Sequence, residues 1–173
     1  AGAVFKDGAK YMTDYRFDLT VTVGTDGKPS VGVRAKPAPP ELPFTLAPGE
    51  TGIDVSRHNG AIDFAKVRAA GHRFVYIRRT MGIPGAGFTG VDDRGLDNWR
   101  AAHAAGGLWI GAYHYLIWNI DGGQQAMHLA ATLGEDVGSL TPVVDVEPRE
   151  SDTPDVVDRA VSTANVRKFL QTL

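Results

Sequence analysis

The stretch TGIDVSRHNGAIDFAKVRAAGHRFVYIRRT, residues 51–80, reads as strand, helix, strand, and it decides the fold. TGIDVS is the first strand. Residues 62–70 put Phe64 and Val67 on one helical face, and Gly71 follows as a stop signal. RFVYIRRT is the second strand. The alternation continues toward the C-terminus. Asp92 or Asp93 can cap a helix that runs to about Gly106 and buries Leu96 and Trp99. LWIGAYHY (108–115) is a third strand, and Asp121 can cap a third helix through Leu133. LTPVVDVE (140–147) is a fourth strand. Thr153 and Pro154 make a cap and first-turn pair for a fourth helix, with Val157, Val161, Val166, Phe169 and Leu170 as its apolar stripe. Four strand–helix units in a row predict an α/β domain built on a parallel sheet.

Upstream of Glu50 the pattern changes. In residues 14–35, Tyr15, Phe17, Leu19, Val21 and Val23 alternate with polar residues, as do Val31, Val33 and Ala35 further on. A two-residue period is that of a strand with one buried face. GTDGKPS lies between the runs, so a β-hairpin with its loop near Asp26 and Gly27 is expected. A lone hairpin is marginal in water, so it should pack on the main domain or on another chain. KPAPPELP (36–43) follows as a semi-rigid connector. The expected organisation is a hairpin segment over 1–35, a proline-rich linker over 36–49 and the α/β domain over 50–173.

Bulk properties narrow the function. The 173 residues carry a net charge of −2, which gives no electrostatic case for nucleic acid. There is no cysteine, which excludes disulfides and thiolate metal sites. No apolar run approaches the ~20 residues needed to span a bilayer. The start, AGAVFKDGAK, lacks the long apolar core of a secretory signal.

In parallel α/β sheets, chemistry sits at the C-terminal ends of the strands. The first strand ends at Asp54-Val55-Ser56 and the fourth at Asp145-Val146-Glu147. Asp145 and Glu147, two apart on a strand, point to one face. Two carboxyls crowded on one wall cannot both ionise freely, so one pKa should rise. A raised carboxylic acid can protonate a glycosidic oxygen near neutral pH, while an ionised neighbour stabilises positive charge at the sugar ring. Spacing alone leaves a structural role open for the pair, and Asp54 alone equally fits a turn cap.

Other residues are candidates for the cleft. One of Arg78 and Arg79 should face the carboxylates, since clustered acids need cationic partners, and the other should face solvent. Tyr76 and Tyr113 sit on strands and point either into the top of the sheet or into its wall. His114, near the end of the third strand, either lines the cleft or belongs to the core. Trp118, just beyond, is a sugar-stacking platform or a packing residue. The five histidines show no metal spacing. MGIPGAGFTG (81–90) lacks a phosphate-binding ending and reads as a flexible rim loop.

With these residues in hand, the sequence resembles glycoside hydrolase family 25, the Chalaropsis-type lysozymes of bacteria, fungi and phage endolysins. GIDVSRHNGAIDF, FVYIRRTMG, AAHAAGGLWIGAYHY and TPVVDVEP match the family's blocks in order, over about residues 50–173. The resemblance implies a TIM-like (β/α) barrel. It also implies N-acetylmuramidase activity, hydrolysis of the β-1,4 bond between N-acetylmuramic acid and N-acetylglucosamine, with retention and without a cofactor or metal. It assigns Glu147 as general acid/base, Asp145 as partner carboxylate, Asp54 to the cleft floor, and Tyr113 and Arg78 to the cleft lining. Two departures stand out. Arg79 and Met81 replace the family's usual Ala and Glu, and the family's later strands do not follow the fourth helix. The expectation is therefore a barrel present as its first four β/α units, part of a longer protein. The implied partner is bacterial peptidoglycan, met outside the cell or from a virion, with attachment or self-association through residues 1–49. A non-catalytic structural or wall-binding protein reusing the barrel is the alternative. A chitinase-like enzyme fits less well, because Thr141 and Val143 stand where a longer run of alternate acids would be.

Overall fold

The computed structural model describes residues 17–23, 29–35, 47–149, 152 and 157–173. The hairpin loop at Asp26 and Gly27, the proline connector and the Thr153–Pro154 helix start lie outside these residues. The chain divides into two compact units, Ala1–Glu41 and Leu42–Leu173. In the first, β1 (Phe17–Val23) pairs antiparallel with β2 (Pro29–Ala35), with Leu19 opposite Val33 and Val21 opposite Val31.

The second unit holds β3 (Gly52–Val55), α1 (Phe64–Ala69), β4 (Phe74–Met81), β5 (Gly90–Val91), α2 (Gly95–Ala105), β6 (Trp109–Tyr115), α3 (Gly122–Leu133), β7 (Val143–Asp145) and α4 (Arg159–Thr172). β3, β4, β6 and β7 lie side by side in that order, all parallel, and β5 returns antiparallel on the end of β4. Parallel neighbours in chain order, each joined by a helix, form a sheet wound in one direction. No helix among the described residues is long and apolar enough to cross a membrane.

One face of the sheet is the core. Val55, Val75, Ile77, Ile110 and Ala112 pack against Phe64, Trp99, Leu129 and Phe169 from the helices. Each large apolar side chain removed from water here contributes about 1.5–3 kcal/mol. Asp63, Asp121 and Asp158 cap α1, α3 and α4 by accepting from free N–H groups of the first turn. α3 and α4 approach closely at Gly122, where a Cβ would lie 1.8 Å from the Asn165 carbonyl oxygen.

The other face is built from small and large residues in register. The Phe74 ring lies against Gly52 and the Tyr76 ring against Gly111; a Cβ on either glycine would come within 2.4 Å of ring carbon. These rings leave room above them, toward the C-terminal strand ends, for a cleft.

Several expectations are corrected. α4 is described from Arg159, with Asp158 as its cap. Only Phe169 of its expected stripe is deeply buried; Val161 and Leu170 are exposed, and Asn165 takes an inward place. Leu96 is also exposed, because α2 turns Asn98, Trp99 and Ala102 inward. Neither Asp92 nor Asp93 is the N-cap residue of α2; Arg94 stands there, and Asp92 is buried beneath it. The loop over 81–90 is not loose. Gly82 N–H donates to the Tyr115 carbonyl (3.2 Å), His128 Nε2 meets the Gly90 carbonyl (2.9 Å), and β5 pairs back onto Thr80 and Met81.

Candidate active site

The strand ends surround a cleft of about 1020 Å3. Alternation along each strand decides what enters it. β3 contributes Asp54, β4 contributes Tyr76 and Arg78, β6 contributes Tyr113 and Tyr115, and β7 contributes Val143 and Asp145. Glu147 stands just past the end of β7, exposed at the lip, and lines the same cleft. Register brings the side chains level, with Asp54 beside Tyr76, Arg78 beside Tyr113 and Tyr115 beside Asp145.

A bulge in β4 sorts the two arginines. Between Arg78 and Thr80 the strand advances two residues while β6 advances one. Arg79 is the extra residue, and the alternation flips after it. Arg78 therefore faces the cleft, and Met81 does so again beyond the bulge. Arg79 does not face solvent as expected. It is buried on the helical side, its guanidinium 4.8 Å from the centre of the Trp99 ring. Desolvation lowers its pKa, and attraction to Asp136 offsets part of that.

His114 is likewise a core residue and not a cleft residue. It is fully buried between Thr80 Oγ1 (2.7 Å from Nδ1) and Gln125 Oε1 (3.0 Å from Nε2). Gln125 Oε1 can only accept, so Nε2 carries the proton and Nδ1 accepts from Thr80. Burial pushes the His114 pKa down to about 4. Trp118 also stands outside the cleft lining; its indole N–H donates to Asp152 (3.1 Å).

Charge in the cleft is unevenly compensated. Arg78 Nε donates to Asp92 at 2.6 Å, and both side chains are almost wholly buried. Asp92 also accepts from the N–H groups of Arg57 and Arg94, so its charge is held by three donors. Losing one partner of such a buried pair costs about 3–5 kcal/mol, which is why the Arg78 side chain is fixed. None of Asp54, Asp145 and Glu147 is ion-paired to another described residue. Asp145 shows the consequence. Its pKa is raised, first by burial and then by the negative charges of Glu147 and Asp54, with Arg78 pulling the other way. Tyr113 sits among Arg78, Asp54, Ser56 and Asp145, and burial above all pushes its pKa up to about 12. It is a neutral phenol at any working pH, able to donate a hydrogen bond. Among the described residues, no group of three potential ligands is placed to hold a metal ion.

Sequence reading missed several residues. Tyr115 follows Tyr113 by two and was open to the same alternation argument. Arg149 lines the cleft and is clamped bidentate by Asp152 (2.7–3.1 Å), which also holds Trp118. Asp92 carried no signal beyond that of an ordinary helix cap.

The sequence pattern that defines Glycosyl hydrolases family 25 matches residues 53–173. The chain belongs to glycosyl hydrolase family 25. Over 115 residues it is 36% identical to Lysozyme M1 of Streptomyces globisporus, covering 62% of this chain and 37% of that protein. Over 118 residues it is 34% identical to an autolytic lysozyme of Clostridium acetobutylicum, covering 68% of this chain and 33% of that one. The matched region thus spans about a third of the length of these curated relatives. Among solved structures, a family 25 glycosyl hydrolase from Bacillus anthracis superposes with a TM-score of 0.64 at 23% identity, over 79% of this chain and 61% of that one. A bacterial lysozyme from Streptomyces coelicolor superposes with a TM-score of 0.58 at 27% identity, over 73% and 58%. The family 25 fold therefore extends across the parallel sheet and its helices, the frame that carries Asp54, Asp145 and Glu147.

Proposed function

We propose that the protein is a peptidoglycan hydrolase, an N-acetylmuramidase that cleaves the β-1,4 bond between N-acetylmuramic acid and N-acetylglucosamine with retention. The observation that carries this reading is the meeting of Asp54, Asp145 and Glu147 in one cleft, none ion-paired to a described residue. Carboxylates without cations are costly to keep together unless a substrate uses them. Family membership and the lysozyme relatives supply the reaction class.

In this reading Glu147, at the open lip, protonates the glycosidic oxygen and later takes a proton from water. Asp145 has a raised pKa and is a stronger base than an ordinary aspartate, suited to the substrate's acetamido N–H or the developing positive charge. Asp54 adds negative charge at the floor. Tyr113 donates from its neutral phenol, Arg78 presents its guanidinium from a fixed position, and Tyr76 offers a ring wall. The sheet is the first part of a (β/α) barrel, the hairpin over 1–35 and the linker over 36–49 serve attachment, and the protein acts outside the cell on the wall.

Purified cell walls cleared in a turbidity assay test the assignment. Glu147→Gln, which keeps the shape and removes the acid, should lower the rate by about 10²–10⁴-fold. Equal clearing by both proteins would remove Glu147 from the mechanism.

A further inference from the structure

A second hollow, of about 300 Å3, opens beside the cleft and shares Arg57, Arg78 and Met81 with it. Its far wall comes from the loop between β4 and β5, with Phe88 and Val91. We infer that this hollow is a subsite for the short acidic peptide that branches from the muramic acid ring of peptidoglycan. The inference rests on the muramidase reading and places a part of the substrate that the reading leaves unplaced.

Position comes first. The ring whose glycosidic bond breaks must sit at the carboxylates, and its peptide hangs from the lactyl ether on that same ring. A pocket for the peptide therefore has to open within a few ångströms of the reacting bond. Arg78 belongs to both hollows, stands beside Tyr113 in register and acts on Asp145.

Chemistry comes second. The peptide begins with a small apolar residue and continues with an acidic one. Met81, Phe88 and Val91 offer apolar surface, and Val91 is 42% exposed, unusual for a β-branched residue unless something covers it. Arg57 offers the cation. Its partner Asp93 is 3.8 Å away and both side chains are open, 42% and 66% exposed. Such a pair is worth well under ~1 kcal/mol, so a ligand carboxylate can displace it. Arg78 is fixed on Asp92 and forms the wall between the two hollows.

The hollow is also built before any ligand arrives. Gly90 adopts φ +80°, and a Cβ there would meet Pro84 and His128 within 2.8 Å. The loop is thus pinned between α3 and the end of β4, as a preformed ligand site requires.

Calorimetric titration of the full chain with N-acetylmuramic acid and with N-acetylmuramyl-L-alanyl-D-glutamate tests this. The peptide-bearing probe should bind about tenfold more tightly, the worth of one charge-assisted hydrogen bond. Val91→Glu sets a carboxylate against the ligand's own, and Thr89→Trp fills the hollow. Either variant, shown folded by its melting curve, should erase the difference. Equal affinity of the unaltered protein for both probes would overturn the subsite, as would a difference that survives in both folded variants. Failure of the muramidase reading looks different: glycan is left uncleaved whether its peptides are intact or stripped by an amidase.

Discussion

At the scale of the residue, the informative groups are those whose surroundings oppose their ordinary chemistry. Asp145 is held half-buried beside two other carboxylates, so its charged form is disfavoured in the folded protein. Its folded pKa is raised above the unfolded value, so the penalty is absent in acid below the unfolded pKa. It is fully present above the folded pKa. Asp145→Asn should therefore be more stable than the unaltered protein near neutral pH, by about 0.5 kcal/mol after solvent screening, with the gain vanishing in acid. Urea unfolding at the two pH values measures it, and a variant less stable at neutral pH would show that the carboxylate is stabilised where it sits. The sequence made Asp54, Asp145 and Glu147 legible because strand parity and strand ends can be read from apolar runs. It could not separate Arg78 from Arg79 by parity, since a bulge is a register event between two strands and leaves no mark on either alone. The same holds for His114. Parity put it on the opposite face from Tyr113 and Tyr115, but its partners Thr80 and Gln125 come from other elements.

Elements are held together by two close contacts with measurable consequences. The first is the buried Thr80–His114–Gln125 chain, which ties β4 and β6 to α3; Gln125 also bonds the backbone of Ile117 and Ile120. His114 stays neutral in the fold, with its pKa lowered from 6.5 to about 4. The unfolded chain binds a proton that the folded one refuses, so stability falls as pH drops from about 6.5 to about 4. The full loss from this group is roughly 3 kcal/mol. His114→Gln should flatten that part of the stability profile at some cost at neutral pH. An unchanged profile would place the acid sensitivity elsewhere. The second contact is the crossing of α3 and α4 at Gly122. No rotamer relieves a Cβ that meets backbone at 1.8 Å, so Gly122→Ala should destabilise by about 2–3 kcal/mol as the helices separate. A melting temperature within a degree of the original would mean that α4 docks more loosely than described. The four strands and three of the helices were readable from period and caps. The start of α4 and its stripe were not, because a helix resting on another helix buries Asn165 and Phe169 where apolar spacing favoured Val161 and Leu170.

For the whole molecule, the order of strands is what makes three distant acids one site. Asp54 and Glu147 are 93 residues apart in sequence (147 − 54) and meet only because β3, β4, β6 and β7 lie side by side with their C-terminal ends level. The helical face supplies the apolar burial that holds this order, and the opposite face, lined by Phe74 and Tyr76 over glycines, leaves the hollow. The reaction proposed for that hollow names which sugar is left with a free reducing end. Peptidoglycan digested by the protein, reduced with borohydride and hydrolysed to its sugars should yield muramitol as the new reduced sugar. Glucosaminitol instead, or no new reduced sugar at all, would contradict the account.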